Sequence, residues 1–302
     1  MNQTLASALR LRPSLAACLL LLAAVSAQAQ INVGLSFKRS IHLLREPVIA
    51  TVTIVNNSGR DLMLADTEES GPWFSFQINT EADKTVETRA EKYDLEPLEI
   101  KAGDTVKRTV NLNSLYKIDE LGLYRVRAQV YFPPTKKTFV SKYFPVQMTE
   151  GTVLWKQTVG VPDAPEGPSA YRTFELVTLE QDRAKYLYAR VQNDDTSMCY
   201  GCYRLGPLIR DCTPDAQFDR GNNLWVLQLT GPKQYLLTSF NASGEYQSQT
   251  AYEAPKAIPR LRKLPNGTMQ IVGAYRMERT PGGQTDLASV PKLSDRPPGL
   301  PK

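Results

Sequence analysis

The only imidazole in the chain is His42, set in the run Ile41-His42-Leu43-Leu44. A hydrolase built on Ser–His or Cys–His chemistry would have to route its proton through that ring, since no other side chain titrates near neutral pH without perturbation. The apolar neighbours fit a strand or loop histidine with a local hydrogen bond better. Two pairs of adjacent acids, Glu68-Glu69 and Asp194-Asp195, offer the carboxylates a glycosidase needs without histidine. Both stand in turn-rich sequence, where neighbouring acids form a solvated loop, and neighbours on a strand point to opposite faces. Asp215, Asp219 and Asn222 carry oxygen donors but lack the six-place spacing and closing glutamate of a calcium loop, so they read as turn formers. No catalytic, cofactor-binding or metal residue is assigned, no cofactor is expected, and the reading leans away from an enzyme.

Cys199, Cys202 and Cys212 fall within one 14-residue window. In an exported chain they are disulfide candidates, and an odd count leaves one thiol over. If Met198 to Leu205 is one continuous strand, Cys199 and Cys202 point to opposite faces, which favours a bridge from one of them to Cys212. A type II turn at Tyr200-Gly201 would instead bring Cys199 to Cys202. Of the two, the Cys212 bridge is preferred. The Cys-x-x-Cys spacing lacks the helix N-terminus of a redox motif and the second ligand pair of a zinc site, and His42 lies far away in sequence.

The address of the protein is written in residues 1–29. Arg10 and Arg12 precede the apolar run Leu15 to Val25, and Ala27-Gln28-Ala29 supplies a small-x-small cleavage site before Gln30. This reads as a signal peptide, so the expected location is secreted or periplasmic. Leu15-Ala16-Ala17-Cys18 resembles a lipobox, but Cys18 lies inside the apolar run rather than at its exit, and it reads as an ordinary leader residue. No later segment is apolar enough to span a bilayer, so no stable membrane insertion is expected after cleavage. The formal charge is +5, two units of it in the leader, a mild excess that gives no footprint for nucleic acid.

Tyrosines, prolines and β-branched residues, with few helical runs, predict an all-β chain. Over residues 30–149 short alternating strands are separated by polar turns. Val48 to Val55 leads through Asn56-Asn57-Ser58-Gly59 into Leu62-Met63-Leu64, and Tyr124, Val126, Ala128 and Val130 face one way while Arg125, Arg127 and Gln129 face the other. The run Leu115-Tyr116-Lys117-Ile118 and Gly122-Leu123-Tyr124-Arg125-Val126 resembles the approach to strand F of immunoglobulin-like sandwiches. That resemblance implies an Ig-like β-sandwich with Tyr124 as the tyrosine corner, bonded back to the chain upstream. It differs from antibody domains in having no cysteine between residues 30 and 149.

Residues 150–170 are rich in proline and glycine and are expected to be a linker, although Trp155 and its neighbours could form a strand of either side. Residues 171–279 repeat themselves. Thr173 to Val177 and Lys185 to Val191 are echoed by Gln217-Phe218-Asp219, Leu224 to Leu229 and Tyr235 to Phe240, and partly again by Pro259 to Leu261 and Pro265 to Val272. The stretch Phe218 to Leu227 resembles a β-propeller blade. About two and a half copies fit, so the repeats close through another chain, form a small barrel or open stack, or are simply similar hairpins. Tyr186, Tyr188, Trp225 and Tyr235 are either a contact surface or core. Residues 280–302, rich in proline and glycine, are expected to be disordered. Asn56, Asn241 and Asn266 stand in N-x-Ser/Thr triplets within expected turns and carry no inference.

These observations lead to an exported binding or scaffolding protein that recognises a protein or a surface glycan outside the cytoplasm. Two alternatives are an exported glycosidase or peptidase with carboxylates borne on loops, and a protease inhibitor displaying an extended loop. The oligomeric state is not legible.

Overall fold

The computed structural model describes residues 31–277, apart from 67–71, 90–95, 163, 165–166, 168–169, 194–197 and 210–211. The expected leader with its junction at Ala29 and Gln30, and the expected tail over 280–302, lie outside the described residues. So do Glu68-Glu69 and Asp194-Asp195.

The chain is all-β. Among the described residues ten strands precede residue 150: β1 (Ile31–Phe37), β2 (Ile41–Leu43), β3 (Ile49–Asn56), β4 (Leu62–Leu64), β5 (Phe74–Thr80), β6 (Leu98–Ile100), β7 (Thr105–Asn111), β8 (Gly122–Phe132), β9 (Lys137–Val140) and β10 (Phe144–Thr149). A single-turn helix, α1 (Leu112–Leu115), follows β7 and is capped by the Asn111 side chain. Two sheets, β1-β3-β7 and β2-β10-β8-β5, face each other, and β9 pairs with the far part of β8. Period-2 alternation decides the faces. Ala50, Val52 and Ile54 of β3 and Tyr124, Val126, Ala128 and Val130 of β8 enter one core with Trp73, Phe74 and Ile78, while Arg125, Arg127 and Gln129 point outward.

Two tyrosine hydroxyls tie down backbone in this sandwich. Tyr124 donates to the Glu120 carbonyl at 2.8 Å and accepts from the Glu120 amide at 3.3 Å. Tyr116 does the same for Phe76, accepting from its amide at 2.8 Å and donating to its carbonyl at 2.9 Å. Phe76 lies on β5, the last strand of its sheet, and farther along that edge the Val86 amide bonds Ile78 and the Thr80 amide bonds Lys84. Asn56 is buried and satisfied, donating to the carbonyls of Arg60, Ile100 and Lys101 and accepting from Ser58.

Only Glu150 and Gly151 separate β10 from the next strand. The stretch expected to be a linker therefore begins with β11 (Thr152–Gly160), and Trp155 belongs to the sheet that follows. That sheet is a meander of β11, β12 (Tyr171–Gln181), β13 (Ala184–Asn193) and β14 (Met198–Pro207). A second meander runs through β15 (Asp215–Phe218), β16 (Leu224–Gly231), β17 (Gln234–Phe240) and β18 (Tyr246–Glu253). A hairpin of β19 (Arg260–Lys263) and β20 (Met269–Val272) comes next, and β21 (Tyr275–Arg276) returns to pair with β18.

Three apolar layers hold this half as a stack. Leu43 of β2 meets Val177, Leu179 and Tyr188 on the outer face of the first meander. Its other face joins Phe174, Leu187 and Val191 to Leu224, Val226 and Phe240 of the second meander. Leu261 of the hairpin then covers Leu227 and Leu237. Sheets follow one another face to face rather than around a ring. Position in the sheet makes β12 the counterpart of β16, one strand later than the sequence echo suggests, whereas the Gly221 and Gly267 turns do correspond.

Gly151 is the pivot of the junction. Its φ of +72° is left-handed, and a Cβ there would stand 2.6 Å from Leu43 Cδ2, 2.7 Å from Val177 Cγ1 and 2.8 Å from the Thr178 carbonyl. Gly103 has φ +84° but open space around it. Gly151→Ala is expected to cost about 2–4 kcal/mol by urea denaturation, from overpacking added to backbone strain, and Gly103→Ala about 1 kcal/mol. Equal costs for the two would show that the junction is loosely packed.

Candidate functional site

The sole histidine lies at this junction. His42 and Glu46 are each only 3% exposed, at the end of the sandwich that abuts the first meander. Glu46 Oε1 accepts from Arg39 Nη2 at 2.5 Å, and its Oε2 accepts from the Leu43 amide at 3.0 Å. Arg39 Nη1 reaches across to the Tyr188 hydroxyl on β13 at 2.7 Å. His42 Nδ1 faces Glu46 Oε2 at 3.7 Å, too long for a hydrogen bond, while its Nε2 lies 3.2 Å from the Arg39 carbonyl. Burial alone would push the Glu46 carboxyl up, but His42 and the Arg39 guanidinium pull it down to a value below that of an ordinary carboxylate. The imidazole is thus held between its own strand and Glu46, with Nε2 turned toward a backbone carbonyl rather than toward a nucleophile.

A second ladder of charge continues along the outer face of the first meander. Lys156, Glu175, Arg190 and Cys202 stand in register across β11, β12, β13 and β14. Glu175 accepts from Arg190 Nε at 2.8 Å and pairs with Lys156 Nζ at 3.3 Å, and Arg190 Nη2 pairs with Glu150 at 3.1 Å. In the next row Thr158 and Thr173 bond at 2.8 Å, followed by Gln192 and Cys199.

This register corrects the sequence reading of the cysteines. Cys199 pairs with Gln192 and Gly201 with Val191, which leaves Tyr200 as an extra residue, a β-bulge. The bulge reverses the alternation, so Cys199 and Cys202 lie on the same face despite their odd spacing. All three cysteines are free, and the expected Cys212 bridge is not formed. The rows of Cys199 and Cys202 are two residues apart along β13, and Cys212 lies beyond β14, near Tyr235 of β17. Burial pushes the Cys199 thiol up and the Cys202 thiol well up, which disfavours the nucleophilic thiolate. Among the described residues no group of three or more His, Cys, Asp or Glu could hold a metal ion.

The remaining nominated residues are occupied by local structure. Asp219 accepts from the amides of Gly221 and Asn223 and from the Trp225 indole at 3.1 Å, closing the turn between β15 and β16. Asp215 accepts from the Leu261 amide, and Asn222 donates to the Gly160 carbonyl. Arg204 lies 3.8 Å over the Tyr186 ring. Tyr188 is core, and Trp225 and Tyr235 pack under the hairpin.

One surface was not singled out in the sequence. On the outward face of β5 and β8, Gln77 Oε1 accepts from Arg127 Nε at 2.8 Å, and Gln129 adds an amide at 3.3 Å. Arg127 stacks 4.7 Å from the centre of the Tyr143 ring, which is 43% exposed, and Arg125 pairs with Asp83 beside it. Strand alternation had marked Arg125, Arg127 and Gln129 as outward, but Tyr143 and Gln77 join them only through tertiary pairing.

No family model matches the chain, and no curated protein matches it. Among solved structures it is similar to the periplasmic chaperone SfaE, with 10% identity, 73% of this chain and 98% of that chain covered, and a TM-score of 0.23. Among the described residues no helix is long and apolar enough to cross a membrane.

The depressed Glu46 carboxyl makes the junction sensitive to acid. Its stabilisation is fully present above the unfolded carboxylate value and is lost as pH falls through the lower folded value. Glu46→Ala is expected to cost about 2–4 kcal/mol in urea unfolding at pH 7, because the half-buried Arg39 loses its carboxylate partner and the buried Leu43 amide its acceptor. The gap between wild type and variant should shrink as the pH is lowered through the folded value of Glu46. A gap independent of pH would remove the electrostatic account. Alkylation in denaturant without reductant, read by peptide mass mapping, is expected to label all three thiols, and a Cys212 disulfide would contradict the register described.

Proposed function

We propose that this chain is an exported, non-enzymatic binding or scaffolding protein of the periplasm or cell exterior, which recognises a protein or a surface glycan. In this reading residues 30–149 form an Ig-like domain, a propeller-like β module expected over 171–279 already begins with β11 at Thr152, and the boundary narrows from 150–170 to Glu150-Gly151. The Tyr124 bond to Glu120 supports the Ig-like assignment, since such sandwiches carry a tyrosine bonded back to the chain just upstream. The stacked four-stranded meanders support kinship with propeller blades without a closed ring. Sandwiches of this kind host many roles, so the function rests on the site and not on the fold.

The observation that carries the reading is how the polar groups are divided. The imidazole and the Glu46 carboxylate are enclosed at the junction, whereas Gln77, Arg127, Gln129 and Tyr143 form an outward tract of planar polar groups on a rigid sheet. Planar guanidinium, amide and phenol groups already held by one another lose little entropy on contact, which is why Arg and Tyr dominate recognition surfaces.

A photo-crosslinking amino acid at position 143, compared with one at position 107 on the opposite sheet, tests this, alongside a printed array of neutral and acidic oligosaccharides. Discrete adducts or array binding are expected from position 143 only, weakened at least about tenfold by Arg127→Ala. Turnover of an ester, glycoside or peptide panel that is abolished by His42→Gln would overturn the reading.

A further inference from the structure

The charge of the chain is not evenly spread. Residues 256–277 hold five cations, Lys256, Arg260, Arg262, Lys263 and Arg276, and no acid. None of them pairs with a described carboxylate, and Lys263 donates to the Phe218 carbonyl. Glu278, the next acid along the chain, lies outside the described residues. Asp215 is taken by the Leu261 amide, and Glu253 stands in register with Tyr275.

The hairpin sorts these residues by face. Leu261 is buried and Ile271 packs with it toward the second meander, so the alternate positions, Arg260, Arg262, Gln270 and Val272, face outward. Ile258 continues that alternation before Pro259 and is 75% exposed, Val272 is 47% exposed, and Tyr275 on β21 is 68% exposed. Four of the twelve exposed large apolar side chains of the described residues fall between residues 258 and 277. Isolated exposed apolar residues need no explanation, but a group of them interleaved with arginines that pair with no described carboxylate does.

We infer that the β19–β20 hairpin with β21 is a peripheral docking face for an anionic phospholipid surface. Three occupants compete for such a face, and the side chains choose among them. A second copy applied face to face would set Arg260 and Arg262 against their own counterparts. A soluble polyanion would use the guanidiniums but leave Ile258, Val272 and Tyr275 in water. A lipid surface uses both kinds of group, with phosphates near the arginines and the apolar tips at the boundary between headgroups and acyl chains. The face is peripheral because only a few side chains can enter, with no spanning element.

Vesicle co-sedimentation tests the assignment. Vesicles of phosphatidylcholine alone, and of phosphatidylcholine with 30% phosphatidylglycerol, roughly the anionic content at which basic clusters bind, are mixed with identically prepared full chains. Wild type is expected to bind the anionic vesicles at least about tenfold better than the neutral ones, and less well as salt rises. Arg260→Glu with Arg262→Glu is expected to abolish that preference. Ile258→Ser with Val272→Ser should weaken binding several-fold with the charge unchanged, by loss of buried apolar area. A control with Lys38, Lys101 and Lys107 all changed to Glu alters the net charge elsewhere and should keep the preference. Thermal melts matching wild type confirm that each variant is folded.

The inference falls if the arginine variant binds like wild type or if the control loses binding equally. It also falls if the Ile258/Val272 variant binds unchanged while heparin displaces wild type completely, which would assign the face to a polyanion. None of these outcomes bears on the β5–β8 face, so this inference and the proposed function fail separately.

Discussion

The Glu46 carboxylate, out of water and shared by Arg39, His42 and the Leu43 amide, fixes how the two halves of the molecule meet. Removing a carboxylate and a guanidinium from water costs several kcal/mol per ion, and their attraction roughly offsets that only when geometry and hydrogen bonding are good. Such a cluster contributes little to net stability compared with apolar packing, so its value lies in orientation. Leu43 against Val177 would tolerate several rotations, whereas Arg39 reaching Tyr188 while it holds Glu46 tolerates few. The Glu175–Arg190–Glu150 ladder adds a second constraint at the start of β11, and Gly151 leaves no room for the chain to settle elsewhere. Everything beyond the junction inherits its position from these contacts, because each later layer packs on the one before.

Much of the fold could be read from local pattern. The Tyr124 to Val130 alternation, the Asn56 to Gly59 turn and the strand at Leu62 are decided by neighbours in sequence, and they stand where that pattern puts them. What could not be read depends on distant partners. His42 looked isolated because the groups that enclose its surroundings include Tyr188, well over a hundred residues later. A continuous strand would put Cys199 and Cys202 on opposite faces, and the one extra residue at Tyr200 that brings them to the same face is invisible until β13 supplies the register. The stretch 150–170 looked like a linker from its prolines, yet these begin only after Val161, and Thr152 to Gly160 is free to pair. The five cations of residues 256–277 are legible locally, although a net charge taken over the whole chain hides them.

The layered order has a geometric result. The sandwich stands at one end of the stack and the β19–β20 hairpin at the other, separated by two meanders at about 10 Å per packed sheet. The face built around Arg127 and Tyr143 and the cationic hairpin therefore lie on different bodies of the molecule, and contact at one leaves the other sterically available. The Cys199 and Cys202 thiols sit between them, where burial pushes their pKa up and disfavours the thiolate.

The treatment of β5 reaches beyond a single molecule. A terminal strand with open amides and carbonyls is a template on which an unfolded or neighbouring chain can polymerise. Here the Tyr116 hydroxyl occupies both backbone groups of Phe76, Val86 occupies the Ile78 carbonyl, and Lys84 and Asp83 occupy the amide and carbonyl of Thr80. A sandwich sealed along that margin can accumulate to high local concentration in a crowded compartment without seeding fibrils there, and a single aromatic side chain supplies much of that protection.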